Sequence, residues 1–284
     1  MLFFEPSKRF LPLTTGLLCS LMACTGSPVK EDSEQHDSLP NTVTELETDS
    51  LLLYEDEPEP ETADILFVDF FYAFTTNPQY QQQRVVFPLG GGEQDQSRLT
   101  LAQWKEQNPF VAQDFYAVIY DHDDDMVIQN DTTIQSVSVE KINLISLQLD
   151  HYSFERLQGK WMLTTADQRH VADTPQGHFL QFYSHFANDT LFQQDNISFP
   201  LRLVTEPEDD EEEAGTTDLT EEEWPEFRQQ MPLPTDMMTV INYGQTAISQ
   251  NRKVLLMEGL SNGLFVKYKF DCTGGRWKLY EIEF

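Results

Sequence analysis

The chain has 284 residues, of which 39% are hydrophobic and 12% aromatic, enough to form the cores of two domains of about 100 residues each. Its 48 acidic residues outnumber the 18 Lys and Arg residues, giving a formal net charge of -30 at pH 7. Binding to nucleic acid depends on basic side chains that neutralise phosphates. The composition therefore argues against a nucleic acid partner.

The N-terminal segment has the features of a bacterial export signal. Two basic residues precede an apolar run from Phe10 to Met22, shorter than the roughly 20 residues of a membrane-spanning helix. The following Leu-Met-Ala-Cys sequence resembles the lipobox, in which the cysteine thiol receives a diacylglyceryl group. We expect residues 1–23 to be a signal peptide and Cys24 to anchor an outer membrane lipoprotein, surface-exposed, in the cell envelope. The alternative is a plain signal peptide that is cut elsewhere.

Residues 24–63 are rich in Glu, Asp, Ser, Thr and Pro. Such a segment cannot bury enough apolar surface to fold alone, so we predict a disordered acidic tether after the lipidated cysteine. Lys30-Glu31-Asp32 resembles a surface-export signal of gut anaerobes. The Asp-Ser-Leu sequences at Ser38 and Ser50 resemble O-glycosylation acceptors of such bacteria, although three residues match by chance about as readily.

The rest of the chain contains an internal duplication. The stretch from Phe67 to Leu89 aligns without a gap with Phe179 to Leu201, 112 residues later. We therefore predict two α+β repeats, at residues 64–168 and 169–284. The positions that we expect to face outward differ between the copies, as at Ala73 against His185.

Each repeat is predicted to begin with two helices. Phe67, Phe70, Phe71 and Phe74 have the i, i+3, i+4, i+7 spacing of an amphipathic helix, and the second copy repeats that stripe. The next helix begins with Thr followed three residues later by Gln or Glu, which is the pattern of a capping box, in the Thr100 and Thr220 copies. The acidic run 206–213 before the second of these helices is expected to be a solvated loop, with a cation or partner patch as the alternative.

Strands follow the helices in each repeat. Segments rich in β-branched and aromatic residues are predicted to be strands. They are Phe115–Tyr120, Ser136–Leu149, Met237–Tyr243 and Lys253–Leu260. A hairpin with a glycine turn and a returning tryptophan strand, at Trp161 and Trp277, closes each repeat. The order of helices followed by strands predicts an α+β fold, in which a helix pair packs on a curved antiparallel sheet.

These segments resemble an uncharacterised family of gut-bacterial lipoproteins, known only as a domain of unknown function. The Phe-rich helix, the two Phe-Pro-Leu sequences and the Gly-Lys-Trp and Gly-Arg-Trp strands carry the resemblance over both repeats. It implies two tandem cones of the nuclear transport factor two or cystatin-like type. That fold hosts enzymes, binding proteins and scaffolds, so it does not select a function.

Residues with catalytic or metal-binding potential are few. Asp121–Asp125 alternates carboxylates like a calcium loop but lacks its Gly and late Glu, so a solvated hairpin turn is favoured. His178 and His185 are about 10.5 Å apart along a helix, too far to share one zinc ion. Cys272 is expected to be structural. The sequence therefore predicts no catalytic residues, no cofactor and no metal site.

We interpret the chain as a membrane-anchored binding or interaction module whose partner is a glycan, a peptide or a protein. One alternative is a hydrolase or isomerase-like enzyme, which would require His151 or His185 to point inward beside a carboxylate. Another is a structural surface component. An enclosed acid and histidine pair would favour the enzyme, and an exposed aromatic groove would favour binding.

Overall fold

The computed structural model describes residues 63–91, 98–110, 113–205, 214–245 and 249–284. The predicted signal peptide and Cys24, the tether with Ser38 and Ser50, and the acidic run 206–213 lie outside these ranges. The described residues all belong to one compact unit of the chain. In these ranges, no helix has the length and apolar character needed to cross a membrane.

The described residues form six α-helices, two 3-10 helices and ten strands. The α-helices are α1 Phe67–Thr76, α2 Pro78–Gln83, α3 Leu101–Gln107, α4 Gly177–Asn188, α5 Thr190–Asp195 and α6 Trp224–Arg228. The strands are β1 Phe115–Tyr120, β2 Ser136–Asn143, β3 Gln148–Leu157, β4 Lys160–His170, β5 Ile197–Thr205, β6 Gly215–Leu219, β7 Met237–Asn242, β8 Arg252–Gly259, β9 Phe265–Thr273 and β10 Arg276–Glu283. Two 3-10 helices cover Asp123–Asn130 and Val171–Asp173.

The helix starts follow from their capping residues. Thr100 accepts a hydrogen bond from the amide of Gln103, and the Gln103 side chain accepts one from the Thr100 amide, completing the predicted box. The Glu223 carboxylate likewise accepts from the Thr220 amide at 2.9 Å. Residues 221–223 form a turn there, however, and α6 begins only at Trp224. The helix predicted to start after Thr220 therefore begins later than expected.

The predicted strand from Ser136 to Leu149 is two strands, because Asn143 turns the chain. The Asn143 side chain accepts hydrogen bonds from the amides of Ile145 and Ser146, at 3.0 and 2.8 Å. This arrangement is the local side-chain bonding by which Asn initiates turns. At the β3–β4 turn, Gln158 and Gly159 both have positive φ, which fits a tight hairpin.

Both halves of the chain contribute to one ten-stranded sheet. The strand order is β4-β3-β2-β7-β1-β8-β9-β10-β5-β6. The second-half strand β7 lies between β2 and β1, and the first-half strand β1 lies between β7 and β8. The β1–β7 and β5–β10 pairs are parallel, and the other adjacent pairs are antiparallel. The sequence did not predict that strands of the two halves would lie next to each other in one sheet.

The sheet separates two hydrophobic cores. Tyr116 and Val118 of β1 pack in the core that contains α1, whereas Ala117 and Ile119 pack in the core that contains α4. Successive residues of a strand point to opposite faces, so α1 and α4 lie on opposite sides of the sheet. This explains why β1 is a continuous apolar run, as expected for a strand buried on both faces. The predicted α+β class is confirmed, and the structure shows few helices packed on one large sheet.

Candidate functional site

An open groove of about 440 Å³ lies between α4, α5 and the turn that joins β9 to β10, and we call it the α4–α5 groove. Its lining is His178, Gln181, Phe182, His185, Phe192, Asp195, Asn196, Gly275, Arg276 and Trp277. The volume falls in the range of about 300 to 1,000 Å³ that is usual for small-molecule sites. The groove is therefore the candidate functional site.

One stripe of α4 forms a wall of the groove. His178, Gln181, Phe182 and His185 have the i, i+3, i+4, i+7 spacing that puts residues on one face of a helix. The aromatic pattern predicted Phe182 to belong to the core, but its side chain is half-buried and reaches the groove. The two histidines, which the sequence excluded as a zinc pair, are exposed on the same wall.

Five rings follow one another along the groove. The centroid distances are 6.2 Å from His178 to Trp277, 6.3 Å from Trp277 to Phe182, 5.9 Å from Phe182 to Phe192, and 5.7 Å from Phe192 to His185. The neighbouring planes are inclined by 35° to 52°, which is compatible with favourable contacts between ring quadrupoles. The groove is thus lined with aromatic rings from one end to the other.

Hydrogen bonds hold the ring positions. The Trp277 indole donates from Nε1 to His178 Nδ1 at 3.1 Å, so His178 accepts on that nitrogen. Gln193, at the back of α5, donates to the Phe186 carbonyl at 2.8 Å and accepts from Trp224 Nε1 at 3.2 Å. Since Gln193 and Trp224 are both buried, these bonds lock α5 against the end of α4.

The first half of the chain repeats this internal bonding. Gln81 donates to the Phe74 carbonyl at 3.1 Å and accepts from Trp104 Nε1 at 2.9 Å. Gln81 and Gln193 are 112 positions apart, as the aligned duplication requires. Aligned glutamines, Gln81 and Gln193, therefore hold the helix pairs α1–α2 and α4–α5 together in the same way.

The two halves differ at the residue that follows the second helix of each pair. In the first half this residue is Arg84, which is 5% exposed. Its guanidinium forms two hydrogen bonds with the Asp64 carboxylate, at 2.8 and 2.9 Å, and lies 4.5 Å from the centroid of the Tyr80 ring. The aligned residue in the second half is the shorter Asn196, and Phe192 replaces Tyr80. The long guanidinium is absent from the groove for that reason.

Asp64 and its aligned residue, Gln176, also differ in charge. Burial opposes ionisation of Asp64, but the Arg84 hydrogen bonds, the Trp161 amide and the Arg84 charge together lower its pKa below the usual value. The amide of Gln176 cannot ionise. The second half has thus lost both charges of the Asp64–Arg84 pair.

A second polar cluster crosses three strands of the first half. Glu140 of β2 is opposite His151 of β3, and His151 is opposite Asp167 of β4, so the three form a row. His151 Nδ1 lies 3.5 Å from an Asp167 oxygen, and Arg169 forms a close ion pair with Asp167. Glu140 and His151 are 6% and 7% exposed. The Glu140–His151–Asp167 row therefore brings His151 beside carboxylates, as the enzyme alternative requires.

Burial sets the protonation of this row. Burial raises the pKa of Glu140, although the charge of Arg169 acts in the opposite direction. Burial and Arg169 lower the pKa of His151, whereas Asp167 acts to raise it. Both shifts favour the uncharged forms of the buried groups. The aligned hairpin of the second half instead carries compact ion pairs, in which Lys269 lies 2.8 Å from Glu281 and 2.7 Å from Glu283.

Two carboxylates of the acidic segment Asp121–Asp125 form ion pairs with lysines of the protein itself. Asp121 is buried and bonds to Lys253 at 2.5 Å, and Asp123 lies 3.2 Å from Lys269. Asp123–Asn130 is a 3-10 helix rather than the predicted hairpin turn, because β7 separates β1 from β2. Across the described ranges, no cluster of three or more His, Cys, Asp or Glu is placed to hold a metal ion.

Cys272 is a half-buried free thiol just before the β9–β10 turn. Burial raises its pKa, which disfavours the thiolate that a nucleophile or metal ligand would need.

Sequence reasoning missed Phe192, Asp195, Asn196 and Arg276 as groove residues. The divergence of Asn196 from Arg84 between otherwise similar copies was the available signal.

The fold defined by these elements is of the NTF2-like class. A crystal structure of an NTF2-like protein from Bacteroides fragilis NCTC 9343 matches with a TM-score of 0.68 and 35% sequence identity, covering 80% of this chain and 98% of that one. The chain belongs to the family described as a domain of unknown function, DUF4348, whose model matches residues 47–284. A comparison with curated proteins finds no significant match. The predicted membership of an uncharacterised NTF2-like family is therefore confirmed.

Proposed function

We propose that this chain is a non-catalytic binding module that captures its ligand in the α4–α5 groove. The observation that supports this function is the run of five rings from His178 to His185, in which the two histidines are exposed and Phe182 and Phe192 are half-buried, with polar side chains beside them. Such a combination of apolar and convergent polar groups is typical of ligand sites. In the first half, the buried Arg84 and Phe70 occupy the positions aligned with Asn196 and Phe182. The two halves would then divide scaffold and binding roles between them.

The export signal extends this proposal to location. Lipidation of Cys24 would anchor the module to the outer membrane, and the acidic tether would hold the two repeats away from the lipid surface. Glycosylation at Ser38 and Ser50 belongs to the same proposal. The partner would then be a glycan, a peptide or a protein of the cell envelope or its surroundings.

The enzyme alternative has one supporting observation, the Glu140–His151–Asp167 row. It is opposed by location, because none of these residues lines the α4–α5 groove. The pKa shifts of Glu140 and His151 favour their uncharged forms. These shifts do not distinguish the two functions, because they fit a structural cluster as well as they fit proton transfer. Binding is therefore the function that the geometry supports best.

A groove-filling variant tests this function. Asn196→Arg combined with Gln176→Asp introduces the aligned Arg84 and Asp64 side chains of the first half into the second. In a thermal-shift screen of soluble saccharides, peptides and metabolites, a ligand of the parent should raise its melting temperature by mass action. The filled variant should lose that shift. If ligands stabilise parent and filled variant equally, the groove is not the binding site.

A further inference from the structure

We infer that the α4–α5 groove binds a neutral oligosaccharide, an inference that rests on the proposed function and specifies its ligand. The starting observation is the charge of the lining. Arg276 and Asp195 are its formally charged residues, and their charges cancel. A groove without net charge offers no compensation for desolvating an ionic ligand, which disfavours anions and cations alike.

The comparison between halves strengthens this point. At the positions aligned with Gln181 and Asn196, the first half has Asp69 and Arg84. Two positions that are charged in the first half thus correspond to amides where the groove is open. An amide both donates and accepts hydrogen bonds, as a sugar hydroxyl does, so the two kinds of group complement each other.

The aromatic rings provide the apolar surface that a sugar-binding site also needs. Phe182 and Phe192 are half-buried, so part of each ring faces the groove. The C–H groups on one face of a pyranose are weakly positive and pack against the negative face of an aromatic ring. The Asn196 side chain donates to the Phe192 carbonyl at 2.7 Å, which orients its amide beside that ring. The groove thus presents both aromatic rings and side-chain amides to a ligand.

The position of the groove disfavours a peptide as the ligand. Extended peptides commonly bind by adding a strand to an exposed sheet edge. The edge strands of this sheet are β4 and β6, whereas the groove is formed by α4, α5 and the β9–β10 turn. The two histidines at its ends are about 10.5 Å apart along α4, a length that suits a chain of sugar rings better than a single small ion.

An oligosaccharide array tests the inference with purified full-length protein. The array carries neutral gluco-, manno-, xylo- and galacto-oligosaccharides together with uronic acid oligosaccharides and a peptide library. The parent should bind at least one neutral oligosaccharide. Asn196→Arg with Gln176→Asp should weaken that binding at least tenfold. Asn130→Arg with Gln230→Asp, the same chemical changes at exposed positions outside the groove, should leave it unchanged.

The circular dichroism spectra of both double variants must match the spectrum of the parent, which shows that the variants are folded. The His185→Ala variant provides a second test that does not rely on filling the groove, because it removes one exposed ring. His185→Ala should also weaken oligosaccharide binding. Groove-dependent binding of peptides or uronic acids, with no neutral oligosaccharide bound, would overturn the inference while leaving the proposed function intact. Oligosaccharide binding that neither groove variant alters would overturn both.

Discussion

The Arg84 guanidinium donates two hydrogen bonds to the Asp64 carboxylate, at 2.8 and 2.9 Å. The residue aligned with Arg84 in the second half is Asn196, which lines an open groove. A planar guanidinium matches a carboxylate in this two-point geometry. The pair ties the start of the described chain to the end of α2. The same position has thus become a structural tie in one half and a lining residue in the other.

Removing this tie should destabilise the fold. Arg84→Asn leaves a half-buried Asp64 carboxylate without its guanidinium and removes the contact with Tyr80, so we expect a loss of about 2 kcal/mol in the free energy of unfolding. Urea denaturation at pH 7 measures it. Arg202→Asn is the control: it removes an exposed guanidinium 3.3 Å from Glu281, which keeps Lys269 at 2.8 Å, so it should cost less than about 1 kcal/mol. Equal effects of the two variants would contradict a structural role for Arg84.

The Arg84 prediction also has a pH dependence. The pKa of Asp64 is lowered in the folded state, so its ionised form contributes stability above the usual aspartate pKa, and this contribution is lost as pH falls through the lowered pKa. Arg84→Asn should therefore differ least from the parent at acid pH. A difference that stays constant down to pH 2 would argue against the ion pair as its cause.

Glu140 should destabilise the folded protein at neutral pH. Because its pKa is raised by burial, the folded state binds its proton more tightly than the unfolded state does. This contribution to stability therefore decreases as pH rises from the usual glutamate pKa of 4.5 through the raised folded value. Glu140→Gln should raise the melting temperature at pH 7 and flatten its pH dependence. The exposed Glu155→Gln is the matched control; a lower melting temperature for Glu140→Gln would refute the prediction.

The aligned phenylalanines Phe70 and Phe182 should respond differently to truncation. Phe70 is fully buried and contacts Phe74 and Phe154, at 5.4 and 5.7 Å between centroids, so Phe70→Ala should cost about 3 to 5 kcal/mol. Phe182→Ala should cost less, because Phe182 already faces the groove, and it should lose ligand binding while folded. His185→Ala should change stability by no more than about 0.5 kcal/mol. Thermal unfolding of the three variants decides this, and equal losses for both phenylalanines would place Phe182 in the core.

Cys24→Ala tests the proposed membrane anchor. Without the thiol, no diacylglyceryl group can be attached, and the protein should move from the membrane fraction to the soluble periplasmic fraction. Fractionation with immunodetection measures this shift. Cys272→Ala is the matched control and should stay with the membrane, because that thiol is half-buried in β9 of the folded sheet. Retention of Cys24→Ala in the membrane would show that the anchor lies elsewhere.

Local features of the sequence determined the elements. The spacing of Phe67, Phe70 and Phe74 predicted α1, and Thr100 with Gln103 predicted the start of α3. The β-branched and aromatic residues of Phe115–Tyr120 predicted β1. These signals are local, because helix periodicity, caps and turns depend on residues within a few positions of one another.

Only the tertiary structure decided which strands are neighbours and where the groove opens. The parallel pairing of Ala117 with Val240, and the row from Glu140 through His151 to Asp167, join residues that are distant in sequence and carry no local pattern. The groove depends likewise on Asn196, whose meaning appears only when Arg84 is seen to fill the aligned position with a side chain paired to Asp64. Such contacts form because burial and charge pairing favour them in the assembled sheet, and residue spacing alone does not encode them.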